Sequence, residues 1–171
     1  MPMKLRGVFE VNSEEDRVQL IADLVEESSQ SPYIRKLSLD ILRANGVKEK
    51  DGFGEVNTIF KWIKKNIQYR GDVFCRDSYH TAERIIELRS GDCDDFVILT
   101  DSMLASVGFP IGARIIAMKK DMPFHHIYSL VQIRGGGTKN WYPLDGTDKD
   151  NDVGDEPKWA RKRDFLFVCG E

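Results

Sequence analysis

The feature that most constrains this chain is a change of pattern at Gly108. Before it, apolar residues recur three or four positions apart. After it, "GARIIAMK", "HHIYSLVQI", "NWYPLD" and "FLFVC" are short runs rich in β-branched and aromatic residues, punctuated by "DMP", "GGG" and an acidic loop. Helices followed by strands do not alternate as βαβ units, so the expected class is α+β, with helices laid on an antiparallel sheet. One domain, 1–171, accommodates the whole chain.

Upstream of Gly108, Ser13 followed by acidic residues predicts a capped helix start, with Val18, Ile21, Leu24 and Val25 on one face. "SSQSP" breaks that helix. Ser31 caps a second, with Pro32 at its first position, Ile34, Leu37 and Ile41 along one side, and "NG" as its end. A third covers about Gly54 to Asn66, with Val56, Ile59, Phe60 and Ile63 at helical spacing. Thr81 caps a short fourth, "AERIIELR", which "SG" interrupts. Asp92 is the N-cap of a fifth, from Cys93 to Val107, stopped by Gly108 with Pro110 beyond. Near the N-terminus, "KLRGVFEV" has a period near two and reads as a short opening strand.

Twenty-five basic and twenty-eight acidic residues give a net charge of -3, without the basic footprint that a nucleic-acid partner leaves. The runs "KWARKRD" and "DGTDKDNDVGDE" read as solvated surface. A composition 41% hydrophobic and 31% charged is ordinary globular usage and excludes collagen-like, coiled-coil and disordered classes. No apolar signal core and no run of about 18 apolar residues is present, so no membrane partner is expected. The expected location is cytoplasmic, or virion-associated for a phage-encoded chain. Three cysteines, Cys75, Cys93 and Cys169, are an odd number at irregular spacing, which points to free thiols rather than a disulfide framework.

Cys93 stands at the first turn of the fifth helix, where unsatisfied backbone N–H groups and the positive end of the helix dipole favour thiolate. Asp92, Asp94 and Asp95 oppose this by charge. A nucleophilic thiol needs a base, and that base needs an orienting group. The chain has three histidines to choose from, His80, His125 and His126. "NWYPLD" ends on Asp145, which a histidine on a neighbouring strand can reach, since adjacent strands lie about 4.8 Å apart.

Taken together, "GDCDDF", "HIYSLV" and "PLDGT" resemble, in order, the three catalytic segments of the transglutaminase-like superfamily of papain-like cysteine enzymes, as a small bacterial or phage-type member. "LTDSMLASVGFPIGARII" resembles the family's link from nucleophile helix to strand, and "IFKWIKKNIQYRGD" the helix before the core. The resemblance implies a papain-like/transglutaminase-like core with Cys93 as nucleophile, His126 as base and Asp145 as orienter. His126 is preferred because Tyr128 follows it by two, and His125 is the alternative. It divides the chain into a helical N-terminal part (1–54), a catalytic core (55–147) and an acidic loop with a C-terminal strand (148–171). Cys75 and Cys169 match no motif. The Cys93 N–H is a natural oxyanion donor, and the second donor is expected upstream, between Gln68 and His80.

The implied activity is cysteine-dependent acyl transfer on a protein or peptide substrate: a thiol peptidase or amidase, with a transglutaminase-type amine acyltransferase as alternative. A different class is a non-catalytic binding or structural module in a larger assembly, since fold alone does not carry function. "DKDNDVG" has aspartates at alternate positions, Asp148, Asp150 and Asp152, but its glycine is one place late for an EF-hand and Trp159 stands where a bidentate acid belongs. No metal or organic cofactor is expected, and "RGGGTK" reads as a hairpin turn rather than a phosphate loop because no helix follows it. The oligomeric state is open.

Overall fold

The computed structural model describes residues 13–71, 79–135 and 138–167. The expected opening strand "KLRGVFEV", Cys75 and Cys169 fall outside the described residues. Three helices come first: α1 (Glu14–Ser29), α2 (Pro32–Ala44) and α3 (Gly52–Asn66). Ser13 accepts from Asp16 N–H and Ser31 from Ile34 N–H, so both predicted caps act as such. The third helix begins two residues before its expected start, because Asp51 caps it by accepting from Gly54 N–H.

A two-residue strand, β1 (Gln68–Tyr69), then leads to α4 (Ala82–Leu88), capped by Thr81. The next pair of residues, β2 (Ser90–Gly91), lies parallel to β1, with Gln68 opposite Ser90 and Tyr69 opposite Gly91. These residues read in the sequence as the end of one helix and a simple break. Two-residue strands have no period to detect.

Immediately after comes α5 (Cys93–Ser106), with every residue from Asp94 to Leu104 buried. It packs on the other four helices and on two strands of the main sheet, which is what a helix apolar on all sides requires. Ile98, Leu99, Met103 and Leu104 from α5 join Ile21, Ile34, Ile59, Phe60 and Ile63 in one continuous core.

The sheet is antiparallel, in the order β5-β4-β3-β6: β3 (Ile111–Ala117), β4 (His126–Gly135), β5 (Thr138–Leu144) and β6 (Arg161–Phe167). The architecture is therefore α+β as expected. Gly135 pairs with Thr138 in the β4–β5 hairpin that "RGGGTK" predicted. The charge run "KWARKRD" is not only solvated surface, since its last four residues open β6 on the sheet edge. Its charges are used there: Arg114 of β3 forms ion pairs with both Asp164 and Glu156. No helix among the described residues is long and apolar enough to cross a membrane.

Two buried carboxyls on α5 have opposite consequences. Asp94, wholly buried, accepts three hydrogen bonds from Arg17 of α1, the two shortest at 2.8 and 2.9 Å. Asp101 is also wholly buried, beside Ser129 of β4, and burial raises its carboxyl far above the ordinary range. An acid that is neutral when folded and ionised when unfolded costs stability as pH rises above its unfolded value of 3.8. Asp101→Asn is therefore expected to be more stable than wild type at neutral pH, the gain shrinking towards acid; urea titrations at several pH values check it. Arg17→Met, which strips the guanidinium from a buried carboxylate, is expected to cost about 3 kcal/mol in the same assay.

Candidate active site

The first turn of α5 is built from carboxylates in capping roles. Asp92 accepts from Asp95 N–H at 3.0 Å, and Asp95 reciprocates towards the Asp92 N–H. Gly91 is required here: a Cβ at that position would lie 2.5 Å from the Cβ of Asp95. Burial lifts the Asp95 carboxyl to about 7, and the same burial lowers His80, whose Nδ1 lies 3.2 Å from Asp95. His80 thus belongs to the support of the turn.

Cys93 is the first residue of that helix and is partly buried. Burial, followed by the charges of Asp94 and Asp92, pushes its thiol from an ordinary 9.0 up to about 12, against smaller opposing effects of Arg17 and the Ile127 backbone N–H. The sulfur therefore lies at the head of β4, beside the Ile127 backbone N–H. Left to these surroundings it keeps its proton. The helix dipole that the sequence emphasised is outweighed by burial and by the charges of Asp94 and Asp92.

At the head of β4 the two adjacent histidines diverge. His126 Nε2 is 2.8 Å from Asp145 Oδ2, whereas His125 is half-exposed, with its ring 3.4 Å from the Pro123 carbonyl. Of the two, His126 is the one the fold brings to Asp145. The register explains it: Leu144 pairs with Ser129, so Asp145 comes level with the residues before Ser129. Asp145 is 2% exposed. Its burial alone would raise the carboxyl, but hydrogen bonds from His126 and from the Thr147 N–H and hydroxyl bring it below the ordinary range. It is a carboxylate, so Nε2 donates to it.

Tyr128 backs this corner. It is buried, its ring lies 5.6 Å from that of His126, and its hydroxyl donates to Glu156. Glu156 and Thr147 come from the segment that reads in the sequence as a solvated acidic run, and only the tertiary pairing reveals their roles. Elsewhere in that run Asp148 and Asp155 accept from nearby backbone N–H groups. Among the described residues no three His, Cys, Asp or Glu side chains are grouped so as to hold a metal ion. A groove of about 900 Å³ lies at the other end of α5 between α1 and β6, about 20 Å along the helix from Cys93.

Residues 40–146 match the family model of the transglutaminase-like superfamily. No curated protein gives a significant match. Among solved structures, a candidate cysteine protease from Cytophaga hutchinsonii is similar at 20% identity and a TM-score of 0.50, over 85% of this chain and 50% of its own. A candidate protease from Parabacteroides distasonis is similar at 10% identity and a TM-score of 0.54, over 92% of this chain and 37% of its own. The chain thus spans half or less of the length of these structures, and at such identities the likeness is one of fold.

A carboxylate held below its ordinary value contributes stability that is present above 3.8 and is lost as pH falls through its folded value. Asp145→Asn is therefore expected to be less stable than wild type at neutral pH, and the gap to close as pH falls below 3.8 and through the lowered folded value. Chemical denaturation of both proteins across that range checks it. A gap independent of pH would mean that the charge of Asp145 is not what holds this corner.

Proposed function

Since the chain belongs to the transglutaminase-like superfamily, we propose that it is a cysteine-dependent acyl-transfer enzyme, acting as a thiol peptidase or amidase on a protein or peptide amide. The observation that carries this reading is the His126–Asp145 hydrogen bond at the head of β4, the strand against which the Cys93 sulfur lies. A buried carboxylate that fixes an imidazole tautomer beside a helix-start thiol is what nucleophilic catalysis needs.

In this mechanism the Cys93 thiol passes its proton to His126 Nδ1 as sulfur attacks the carbonyl carbon. Burial and the negative potential of Asp94 and Asp92 disfavour a bare thiolate, so the transfer is coupled to attack rather than completed before it. Asp145 holds the imidazolium through Nε2. The tetrahedral intermediate expels the amine, which takes the proton back from His126, and leaves a thioester on Cys93. Water, deprotonated by His126, releases the acid. An amine in place of water gives transfer, the alternative outcome.

Iodoacetamide tests the assignment without a known substrate. Cys93 is expected to be alkylated at neutral pH in the wild type, whereas in His126→Ala it is expected to react appreciably only as pH climbs towards about 12. Equal profiles in the two proteins would remove His126 as the base. Acylation by p-nitrophenyl acetate is expected to vanish in Cys93→Ala and to fall by about 10²–10⁴-fold in His126→Ala. With methylamine present, acetate is expected to outweigh N-methylacetamide as product. A wild type that shows no acylation dependent on Cys93 would replace the enzyme with a binding module.

A further inference from the structure

Strand alternation puts His126 and Tyr128 on one face of β4. The register extends that face into a row across three strands: Arg114 of β3 stands opposite Tyr128, and Asp164 of β6 stands opposite Arg114. Arg114 grips Asp164 through two hydrogen bonds, at 2.7 and 3.0 Å. Glu156 meets this row from the segment between β5 and β6, and its Oε2 accepts from Arg114 at 2.9 Å and also from the Tyr128 hydroxyl. Tyr128 is 1% exposed, and a phenol hydroxyl buried so deeply needs a partner. Burial, followed by Glu156, raises its ionisation above the ordinary 10.0, so the hydroxyl keeps its proton and donates.

The Asp145 hydrogen bond fixes where His126 Nε2 points, but a bond through one ring nitrogen leaves the ring free to tilt about it. The Tyr128 ring, 5.6 Å away and inclined at 43°, takes up that freedom on one side. It does so only while its own ring is held, and its far end is held by Glu156. We propose that Glu156 is a positioning residue for the general base: through the Tyr128 hydroxyl it sets the plane of the His126 imidazole. This deepens the acyl-transfer reading and rests on it. Glu156 and Asp164 lie beyond residues 40–146, the stretch that matches the superfamily model, so the brace on the base comes from a segment outside that match.

Acylation by p-nitrophenyl acetate reads the effect, since it forms the S–C bond, expels p-nitrophenolate and hands the thiol proton to His126. Glu156→Ala is expected to slow it by about 10-fold, a part of the 10²–10⁴-fold that a base contributes. Tyr128→Phe, which keeps the ring and loses only the hydroxyl, is expected to do the same, and the double variant no more than either alone. Glu156→Gln, which still offers the hydroxyl an acceptor, is expected to recover most of the rate. In a His126→Ala background, Glu156→Ala is expected to leave the residual rate unchanged. Wild-type rates in Glu156→Ala or Tyr128→Phe would overturn the proposal. A loss in Glu156→Gln equal to that in Glu156→Ala would also overturn it. So would a further fall in the His126→Ala background, by making Glu156 a prop of the fold rather than of the imidazole. Each of these results leaves the enzyme reading intact, whereas acylation of the wild type that survives Cys93→Ala would overturn both.

Discussion

The site depends on how the polar first turn of a buried helix is held. From Asp94 to Leu104 α5 has no exposed residue, so its position is fixed by packing on helices and sheet together. Its N-terminal end is the place where carboxylates must enter the interior, and each has an answer: reciprocal capping between Asp92 and Asp95, and the three hydrogen bonds from Arg17 to Asp94. A buried carboxylate without such partners costs several kcal/mol. Cys93 inherits its position from this turn, and the angle at which its sulfur meets β4 is set by residues that touch no substrate.

Burial of this turn, with the charges of Asp94 and Asp92, also sets the state of the thiol. Raising the thiol from 9.0 to about 12 corresponds to about 4 kcal/mol against the free thiolate. In the proposed reaction the proton is handed to His126 as sulfur attacks, with Asp145 holding the imidazole by its hydrogen bond to Nε2. Proton transfer from Cys93 to His126 then conserves net charge within the corner. The resting state is a neutral thiol, protected from adventitious oxidation and alkylation better than a standing thiolate would be.

Much of this was legible in the sequence, for identifiable reasons. Helix caps are local, so Ser13, Ser31, Thr81 and Asp92 gave themselves away by side-chain type and position. The pattern change at Gly108 separated helices from strands. The choice of His126 over His125 rested on the family resemblance, through Tyr128 two residues on, and the register of β4 with β5 puts it beside Asp145. What was illegible is non-local. Arg17 meets Asp94 across 77 positions of sequence, and Glu156 meets Tyr128 from a run that composition assigns to solvent. The thiol's direction was the clearest reversal, because the dipole argument is local and the burial that overrides it is not.

The β1–β2 pair illustrates the last step. Two residues on each side make too short a strand to read, yet the hydrogen bonds of Gln68 and Arg70 to the Arg89 and Gly91 carbonyls tie the end of α3 to the start of α5. That tie leaves one wall of the cleft aromatic and half open, at Tyr69, while the other is closed by buried Asp145 and Tyr128. In the proposed reaction water is present at far higher concentration than any free amine, so transfer, the alternative outcome, would require an acceptor held in place by contacts of its own.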